Sequence, residues 1–149
     1  MFLISHRGNI SGKKLDKENH PDYIIRAVKN YFNVEIDMRF IDDKWFLGHD
    51  EPQYEIAEDF IQNMANSGVL WCHAKNGEAL NRLVSDEKYR SWNYFWHQED
   101  DYTLTSNGYM WTYPGKKLLN NSICVLPEAV NYDTIDCIGV CSDYIGDYS

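Results

Sequence analysis

The sequence is short of positive charge and has no long apolar run. Its 149 residues carry 14 Lys and Arg against 23 Asp and Glu, a formal net charge of −9 at pH 7. A negative field does not favour nucleic acid or anionic membranes as partners, so we expect no nucleic-acid partner. No stretch approaches the roughly 18 consecutive apolar residues of a spanning helix, so we expect no membrane insertion. A small anionic substrate stays compatible, because one site can be positive inside an acidic protein.

Targeting signals and paired cysteines are also missing. The N-terminal run FLIS is too short for the apolar region of a secretory signal peptide, and no basic region precedes it. The four cysteines, Cys72, Cys124, Cys137 and Cys141, show no paired C-x-x-C spacing. We interpret them as reduced and buried and predict a cytoplasmic protein; a zinc site from Cys137, Cys141 and a distant histidine is the alternative.

The chain has no low-complexity segment and no Pro-, Gly- or Ser-rich linker, so we predict a single domain over residues 1–149. Strand-like runs alternate with amphipathic stretches through the first half, which favours a parallel sheet with right-handed crossovers. Later strand-like runs are separated by polar connectors. We therefore predict an α/β fold, a trimmed TIM-like β/α barrel with about seven or eight strands and reduced helices, because a full barrel takes about 250 residues.

Three segments, 21–32, 55–68 and 76–87, have apolar residues at helical spacing. The predicted core-facing residues are Ile24, Ala27, Val28 and Tyr31 in the first, Ile56, Phe60 and Met64 in the second, and Leu80, Leu83 and Val84 in the third. The runs VEIDMRF and KWFLGH flank Asp42-Asp43 and indicate two strands joined by a tight turn. Further strand candidates are FLIS, VLWCHAK, NYFWH, GYMWTY, SICVL and CIGVCSDY.

Three histidines stand at the ends of strand-like runs. His49, His73 and His97 follow WFLG, VLWC and NYFW, at equal intervals along the chain. In parallel β/α units such strand ends meet at one face, where active sites of barrels lie. A single histidine at a strand end is usually structural, but several together with acids indicate a site.

Two acids interrupt an apolar strand. Glu35 and Asp37 are two residues apart, so on a strand their side chains share a face. Adjacent carboxylates repel, and each prefers a proton unless a cation lies between them. Oxygen ligands of this kind suit Mg²⁺, Ca²⁺ or Mn²⁺. The alternative, for an isolated E-x-D, is a solvated strand face.

The order of the polar motifs resembles that of the glycerophosphodiester phosphodiesterase family, within the phospholipase-C-like barrel phosphodiesterases. SHRG at 5–8, EN at 18–19, EID at 35–37, HD at 49–50 and AK at 74–75 carry the resemblance. It is clear over residues 3–50, weaker over 69–75 and faint at GVCSDY. In the family these motifs are His-Arg-Gly, a Pro-Glu-Asn-Thr-like segment, Glu-x-Asp, His-Asp and Glu-x-Lys.

The resemblance implies a role for each matching residue. His6 and His49 look like the catalytic acid–base pair, and histidine suits that task because its ordinary pKa is near neutral. Glu35 and Asp37 look like ligands of a divalent metal. Arg7 and Lys75 would hold the phosphate. The remaining candidates are His97 for phosphate binding, Trp96, Trp111 and Tyr113 as an aromatic wall, Asp50 as an orienting residue and Glu128 as a lesser site residue.

The chain departs from the family pattern at one ligand. His73 of CHAK stands where the family has the glutamate that is its third metal ligand. If His73 coordinates, the metal preference shifts from Mg²⁺ or Ca²⁺ towards Mn²⁺ or Zn²⁺. If it contacts the phosphate instead, a site of two carboxylates is left.

The expected function is metal-dependent hydrolysis of a small glycerol- or sugar-linked phosphodiester by two-histidine acid–base catalysis. One alternative is a phosphate- or phosphodiester-binding module with weak or no turnover. Another is a metal-independent lyase that forms a cyclic phosphate. Because short helices would leave apolar barrel wall uncovered, a homodimer is a further hypothesis.

Overall fold

The computed structural model describes residues 1–149 as one mixed α/β domain with ten strands and three α-helices. The strands are β1 (Phe2–His6), β2 (Asn33–Ile41), β3 (Lys44–Leu47), β4 (Tyr54–Ile56), β5 (Leu70–Ala74), β6 (Asn93–Phe95), β7 (Tyr102–Leu104), β8 (Met110–Thr112), β9 (Ser122–Val125) and β10 (Gly139–Ser142). The helices are α1 (Pro21–Lys29), α2 (Glu58–Asn66) and α3 (Gly77–Ser85). Short 3₁₀ turns cover 87–89, 127–129 and 145–148.

Seven strands form one parallel series in the order β6-β5-β2-β1-β10-β9-β8. β7 pairs antiparallel with β8, and β3 and β4 continue antiparallel from β2. The sheet curls, because its two ends touch: the Ser106 N–H donates to the Tyr94 carbonyl at 2.8 Å and the Thr103 hydroxyl donates to the Trp96 carbonyl at 2.9 Å. The parallel sheet predicted from the sequence is confirmed.

The tight turn predicted at Asp42-Asp43 is present between β2 and β3. Asp42 and Asp43 have φ values of 50° and 61°, the pair of positive angles that joins two twisted strands directly. The returning strand reaches the level of Asp37, where the Gly48 N–H donates to the Asp37 carbonyl at 3.1 Å. A Cβ on Gly48 would lie 1.9 Å from the Glu51 carbonyl oxygen, so this return requires glycine.

Helix α1 begins as predicted but ends earlier. His20 accepts a hydrogen bond from the Asp22 N–H at the N-cap, and Ile24 and Ala27 are buried. Tyr31 was predicted to face the core, but it lies beyond the helix at φ 67° and is 97% exposed. That part of the prediction is wrong, because the chain turns out of the helix at Asn30.

The predicted faces of α2 and α3 need correction. Helix α2 starts at Glu58, after Ile56 of β4, and buries Ile61 and Ala65 rather than Phe60 and Met64, which are only partly buried. The predicted stripe is therefore confirmed in part: Phe60 and Met64 pack against the core, but the fully buried Ile61 and Ala65 were not predicted. In α3 the predicted N-cap is confirmed, since Asn76 accepts from the Ala79 N–H, and Leu83 is buried, but Val84 is 63% exposed. None of the three helices has the length and apolarity to cross a bilayer.

The core lies on both sides of the sheet. Inside the curl, side chains of six strands form an apolar cluster: Ile4, Trp71, Phe95, Trp111, Ile123, Val125 and Cys141. Outside, the helices cover β2, β3 and β5 in the largest cluster. After α3 no further α-helix follows, and the outer side of β9 and β10 is covered by loops and by Ile145, which bury Cys124 and Val140 completely. This covering weakens the reason for a homodimer, which stays a hypothesis.

Candidate functional site

Strand register brings the predicted acids and histidines together. On the parallel pair β1–β2, His6 is in register with Glu35, and on β2–β5 Asp37 is in register with His73. Residues in register on neighbouring parallel strands project to the same side, as do Glu35 and Asp37 at a spacing of two. The four side chains therefore meet at one end of the inner cluster.

Glu35, Asp37 and His73 form the only group in the chain with metal-ligand geometry, and their ligand atoms all lie within 4.8 Å of one another. His73 Nδ1 is 3.5 Å from Glu35 Oε1 and 3.5 Å from Asp37 Oδ1. Both carboxylates are buried, and Glu35 Oε2 and Asp37 Oδ1 have no hydrogen-bond partner. Since buried carboxylate oxygens are ordinarily paired, these residues fit a divalent cation as their shared partner.

The other oxygen of Asp37 is held by two loops. Asn19 Nδ2 donates to Asp37 Oδ2 at 2.9 Å, and Arg7 Nε lies 3.0 Å from the same oxygen. Asn19 and Arg7 are both left-handed, with φ of 65° and 56°, and the Asn19 N–H donates to the Arg7 carbonyl. Such backbone strain is typical of functional sites. The HRG and EN segments therefore both contact Asp37 of the Glu-x-Asp segment.

His6 has a buried partner that the sequence analysis did not find. Its Nδ1 lies 2.7 Å from Asp143 Oδ1, and because a carboxylate accepts, Nδ1 donates and Nε2 is the free ring nitrogen. Nε2 is 3.9 Å from Glu35 Oε2. Asn9 donates to Asp143 Oδ1 and to Glu18 Oε2, both at 2.8 Å. A continuous polar network therefore links His6 with the metal-ligand group through Asp143, Asn9, Glu18, Arg7 and Asp37.

The signal for Asp143 was in the sequence: it follows the strand GVCS, which the resemblance placed only faintly. Glu128, a lesser candidate, lies behind it and accepts from the Asp143 N–H and the Ser142 hydroxyl. Asn9 carried no signal, because nothing in the sequence shows that it lies between two acids. Gly8 of HRG packs under Tyr23, where a Cβ would lie 2.4 Å from the ring.

The two carboxylates of the metal-ligand group titrate differently. Burial alone would raise the pKa of Glu35, but His73, His6 and Arg7 together lower it to about 2. Burial, and then the charge of Glu35, raise the pKa of Asp37. Two adjacent buried carboxylates thus disfavour a second negative charge.

In the pair of His6 and Asp143, the neighbouring groups outweigh the effect of burial on the pKa of both residues. Burial would lower the pKa of His6, but the hydrogen bond that His6 donates to Asp143 and the charge of Glu35 outweigh it and raise the pKa. Burial would raise the pKa of Asp143, but His6 and Asn9 lower it. The charged form of His6 is therefore stabilised.

A cavity of about 220 Å³ opens beside these residues. One wall is polar and the other is mainly apolar. The polar lining residues are His6, Arg7, Glu35, His73, His97 and Gln98, and the apolar ones are Trp111, Tyr113, Pro114, Val125 and Leu126. Of the aromatic wall candidates, Trp111 and Tyr113 line the cavity, whereas Trp96 does not.

His97 lies in the cavity wall, with Lys75 nearby. The His97 ring is buried, stacks on Tyr113 and has an unpartnered Nδ1, while its carbonyl accepts from His73 Nε2 at 2.9 Å. Burial, followed by the charge of His73, lowers its pKa. Lys75 follows β5 and is close enough for its charge to act on both His97 and Asp50.

His49 is not brought into the cavity. It follows β3, which is antiparallel, whereas His73 and His97 belong to parallel strands. Its side chain is 38% exposed and bonds Asp50, with His49 Nδ1 2.7 Å from Asp50 Oδ1. The hairpin places it near the rim, since the neighbouring Gly48 bonds the backbone of Asp37.

The cysteines do not form the alternative zinc site. Cys141 belongs to the inner cluster and Cys137 packs on the outer side, so the sheet separates them. All four cysteines are free thiols, three of them buried, as predicted. Burial raises the pKa of Cys124 to about 12, so the thiol stays protonated.

Comparisons with known protein families, with curated proteins and with solved structures find no match to the chain. The relationship to the phosphodiesterase family therefore stays a prediction that rests on the motifs.

Proposed function

We propose that the protein is a metal-dependent phosphodiester hydrolase built on a trimmed TIM-like β/α barrel. The observation that carries the proposal is the meeting of the Glu35, Asp37 and His73 ligand atoms within 4.8 Å, beside a cavity that His6 and Arg7 also line. The barrel interpretation is supported by seven parallel strands in a curled sheet, in which the antiparallel strand β7 and the residues after it contact the β6 end.

Glu35, Asp37 and His73 would hold the metal. When bound, a divalent ion supplies a Lewis acid for a phosphate oxygen and offsets the charge that develops in the transition state. Arg7 is kept in place by Asp37 and by Glu18, whose Oε1 lies 3.2 Å from Arg7 Nη1. A fixed guanidinium at the cavity wall, with His97 in the same wall and Lys75 nearby, suits a phosphate group.

His6 would act as a proton acceptor or donor in the reaction. Its Nδ1–H bond to Asp143 fixes the tautomer, so that Nε2 takes up or releases a proton on the side facing Glu35. His49 would supply the second acid–base group only if residues 48–50 approach the substrate. The attacking oxygen is then either that of a water or that of a neighbouring substrate hydroxyl.

The cavity favours a small substrate. Its volume of about 220 Å³ is below the roughly 300–1,000 Å³ of pockets for drug-sized ligands. Apolar groups of Trp111, Tyr113 and Val125 also line the cavity, which suits the carbon side of a polyol or sugar. We therefore propose a glycerol- or sugar-linked phosphodiester.

The test is hydrolysis of bis(p-nitrophenyl) phosphate and glycerophosphocholine by the full chain with Mg²⁺, Ca²⁺, Mn²⁺ or Zn²⁺, and with EDTA. We expect metal-dependent turnover that His6→Asn and Glu35→Gln each reduce by at least about a hundredfold, because they remove the proton carrier and a ligand. Glu55→Gln, an exposed glutamate outside the site, is the matched control and keeps full activity.

The other outcomes contradict the proposal. Full activity in EDTA with a cyclic phosphate product would indicate the lyase. Binding of the diester without turnover under every metal would indicate the binding module. Activity that both site substitutions leave unchanged would not belong to this site.

A further inference from the structure

We propose that His73 makes this site selective for divalent transition ions, with Zn²⁺ and Co²⁺ bound more tightly than Mg²⁺ and Ca²⁺. The inference deepens the proposed function, since it concerns the metal of the same site. It rests on how the His73 ring is fixed and on what its free nitrogen faces.

The orientation of the His73 ring is determined from two sides. Its Nε2 lies 2.9 Å from the His97 carbonyl oxygen, and its face stacks on Phe95 with ring centroids 4.8 Å apart. A carbonyl only accepts, so Nε2 carries the hydrogen and the lone pair of the neutral ring is at Nδ1. Metal-binding histidines in proteins are oriented by the same kind of bond from their other nitrogen.

Nδ1 then points at two carboxylate oxygens. Its 3.5 Å separations from Glu35 Oε1 and Asp37 Oδ1 are long for hydrogen bonds. Two donor atoms at about 2.1 Å from one ion are separated by about 3.0–3.4 Å in octahedral or tetrahedral coordination. The two 3.5 Å separations lie just above this range and all three ligand atoms are within 4.8 Å of one another, so a small approach of the three side chains would arrange them around a shared ion.

Each carboxylate has an oxygen without a hydrogen-bond partner that is available to bind that ion. Asp37 Oδ2 is already engaged by Asn19 and Arg7, so Oδ1 is left as the ligand atom. Glu35 Oε2 is likewise without a hydrogen bond. Both residues are buried, so the side chains rather than bulk water dominate the selection of the ion.

A nitrogen ligand changes the order of affinities. Mg²⁺ and Ca²⁺ prefer oxygen ligands only, whereas imidazole favours Zn²⁺, Co²⁺ and related ions. The alternative interpretation is that His73 and the two carboxylates share a proton at this position instead of a metal ion. It predicts no preference for transition ions, so the two interpretations can be separated.

The experiment is calorimetric titration of chelator-treated full-length protein with each ion, together with visible absorption of the Co²⁺ form. We expect Zn²⁺ and Co²⁺ to bind at least about tenfold more tightly than Mg²⁺ and Ca²⁺. His73→Glu restores three carboxylates and should reduce or reverse that ratio. His20→Glu makes the same change outside the site and should leave it unchanged.

Circular dichroism and thermal unfolding check that each variant is folded. If His73→Glu does not fold, His73→Gln and the Co²⁺-induced shift of the His73 imidazole NMR signals provide the test in its place. Equal affinities for all ions in the wild type, an unchanged order in the folded variant, or an unshifted His73 signal would overturn the inference.

The results also separate the inference from the function. Selective binding without phosphodiester turnover would contradict the proposed function and leave the inference standing. Phosphodiester turnover together with equal affinity for Mg²⁺ and Zn²⁺ would contradict the inference and leave the proposed function standing. Absence of any metal binding would overturn both.

Discussion

At the scale of single residues, neighbouring groups give chemically identical side chains different roles. Asp37 and Asp143 are both buried aspartates near the cavity. Burial and the charge of Glu35 raise the pKa of Asp37, whereas His6 and Asn9 overcome burial and lower the pKa of Asp143. The surroundings of the proposed metal ligand Asp37 therefore disfavour its charged form, whereas those of Asp143, the partner of His6, stabilise the charged form.

The His6–Asp143 pair predicts a pH-dependent loss of stability in Asp143→Asn. The raised pKa of His6 contributes stability below its unfolded value of about 6.5, which is lost as the pH rises through the folded pKa. The lowered pKa of Asp143 contributes stability above its unfolded value, lost only in strong acid. We expect the variant to lose about 1–3 kcal/mol near pH 5.5 and less near pH 8.5.

Urea unfolding in EDTA at the two pH values measures this difference. An NMR titration of His6 should show a lower pKa in the variant. Asp133→Asn, at an exposed aspartate, is the control and should change neither quantity. An equal loss at both pH values would contradict the ion pair.

At the scale of elements, the β2–β3 hairpin connects local turn chemistry to the site. β2 carries Glu35 and Asp37 in its first half, and its second half turns at Asp42-Asp43 and returns to Asp37. The turn needs two positive φ values, which aspartate adopts at some cost. The hairpin is therefore formed by a sequence that is not optimal for it.

This cost predicts that Asp43→Gly stabilises the protein. Glycine is the preferred second residue of this turn, so the free energy of unfolding should rise by about 0.5–1 kcal/mol. Asp59→Gly, at an exposed position in the first turn of α2, is the opposite control and should lose about 0.5–1 kcal/mol, because glycine is a poorer helix former and the charge at the helix N-terminus is removed. Both are measured by urea unfolding, and a loss of stability in Asp43→Gly would show that the aspartate side chain has a further role.

At the scale of the whole molecule, the net charge of −9 opposes an anionic substrate and favours a cation. The apolar core is also uneven, since all three helices cover one half of the sheet and loops cover the other. The electrostatic field of the net charge acts over distances that the salt concentration sets, about 30 Å at 0.01 M and about 8 Å at 0.15 M.

Added salt should therefore weaken the binding of the metal cation and strengthen the binding of the anionic substrate. Between about 10 and 150 mM KCl we expect the affinity for the metal to fall. At saturating metal we expect the KM for bis(p-nitrophenyl) phosphate to fall as well, because screening weakens the repulsion between the acidic protein and this anion. Glycerophosphocholine has no net charge, so its KM should change little and serves as the control. Parallel changes for both substrates would indicate a specific ion effect instead of the net field.

Part of the site could be predicted because it depends on local periodicity. A spacing of two puts Glu35 and Asp37 on one face of any strand, and His73 stands at the end of another apolar run. Asp143 could not be assigned to His6, because their contact depends on β1 pairing with β10 across almost the whole chain. The exposure of Tyr31 was missed because the end of α1 follows from how the chain packs.

The sequence by itself determined the alternation of strands and helices, the hairpin turn, the buried thiols and the shared face of Glu35 and Asp37, because each depends on neighbours a few residues away. The tertiary structure decided that the sheet curls, that His97 lies in the cavity wall while His49 stays on the rim, and that Asp143 holds His6. These depend on strand order and register, which are set by packing between segments far apart in the chain.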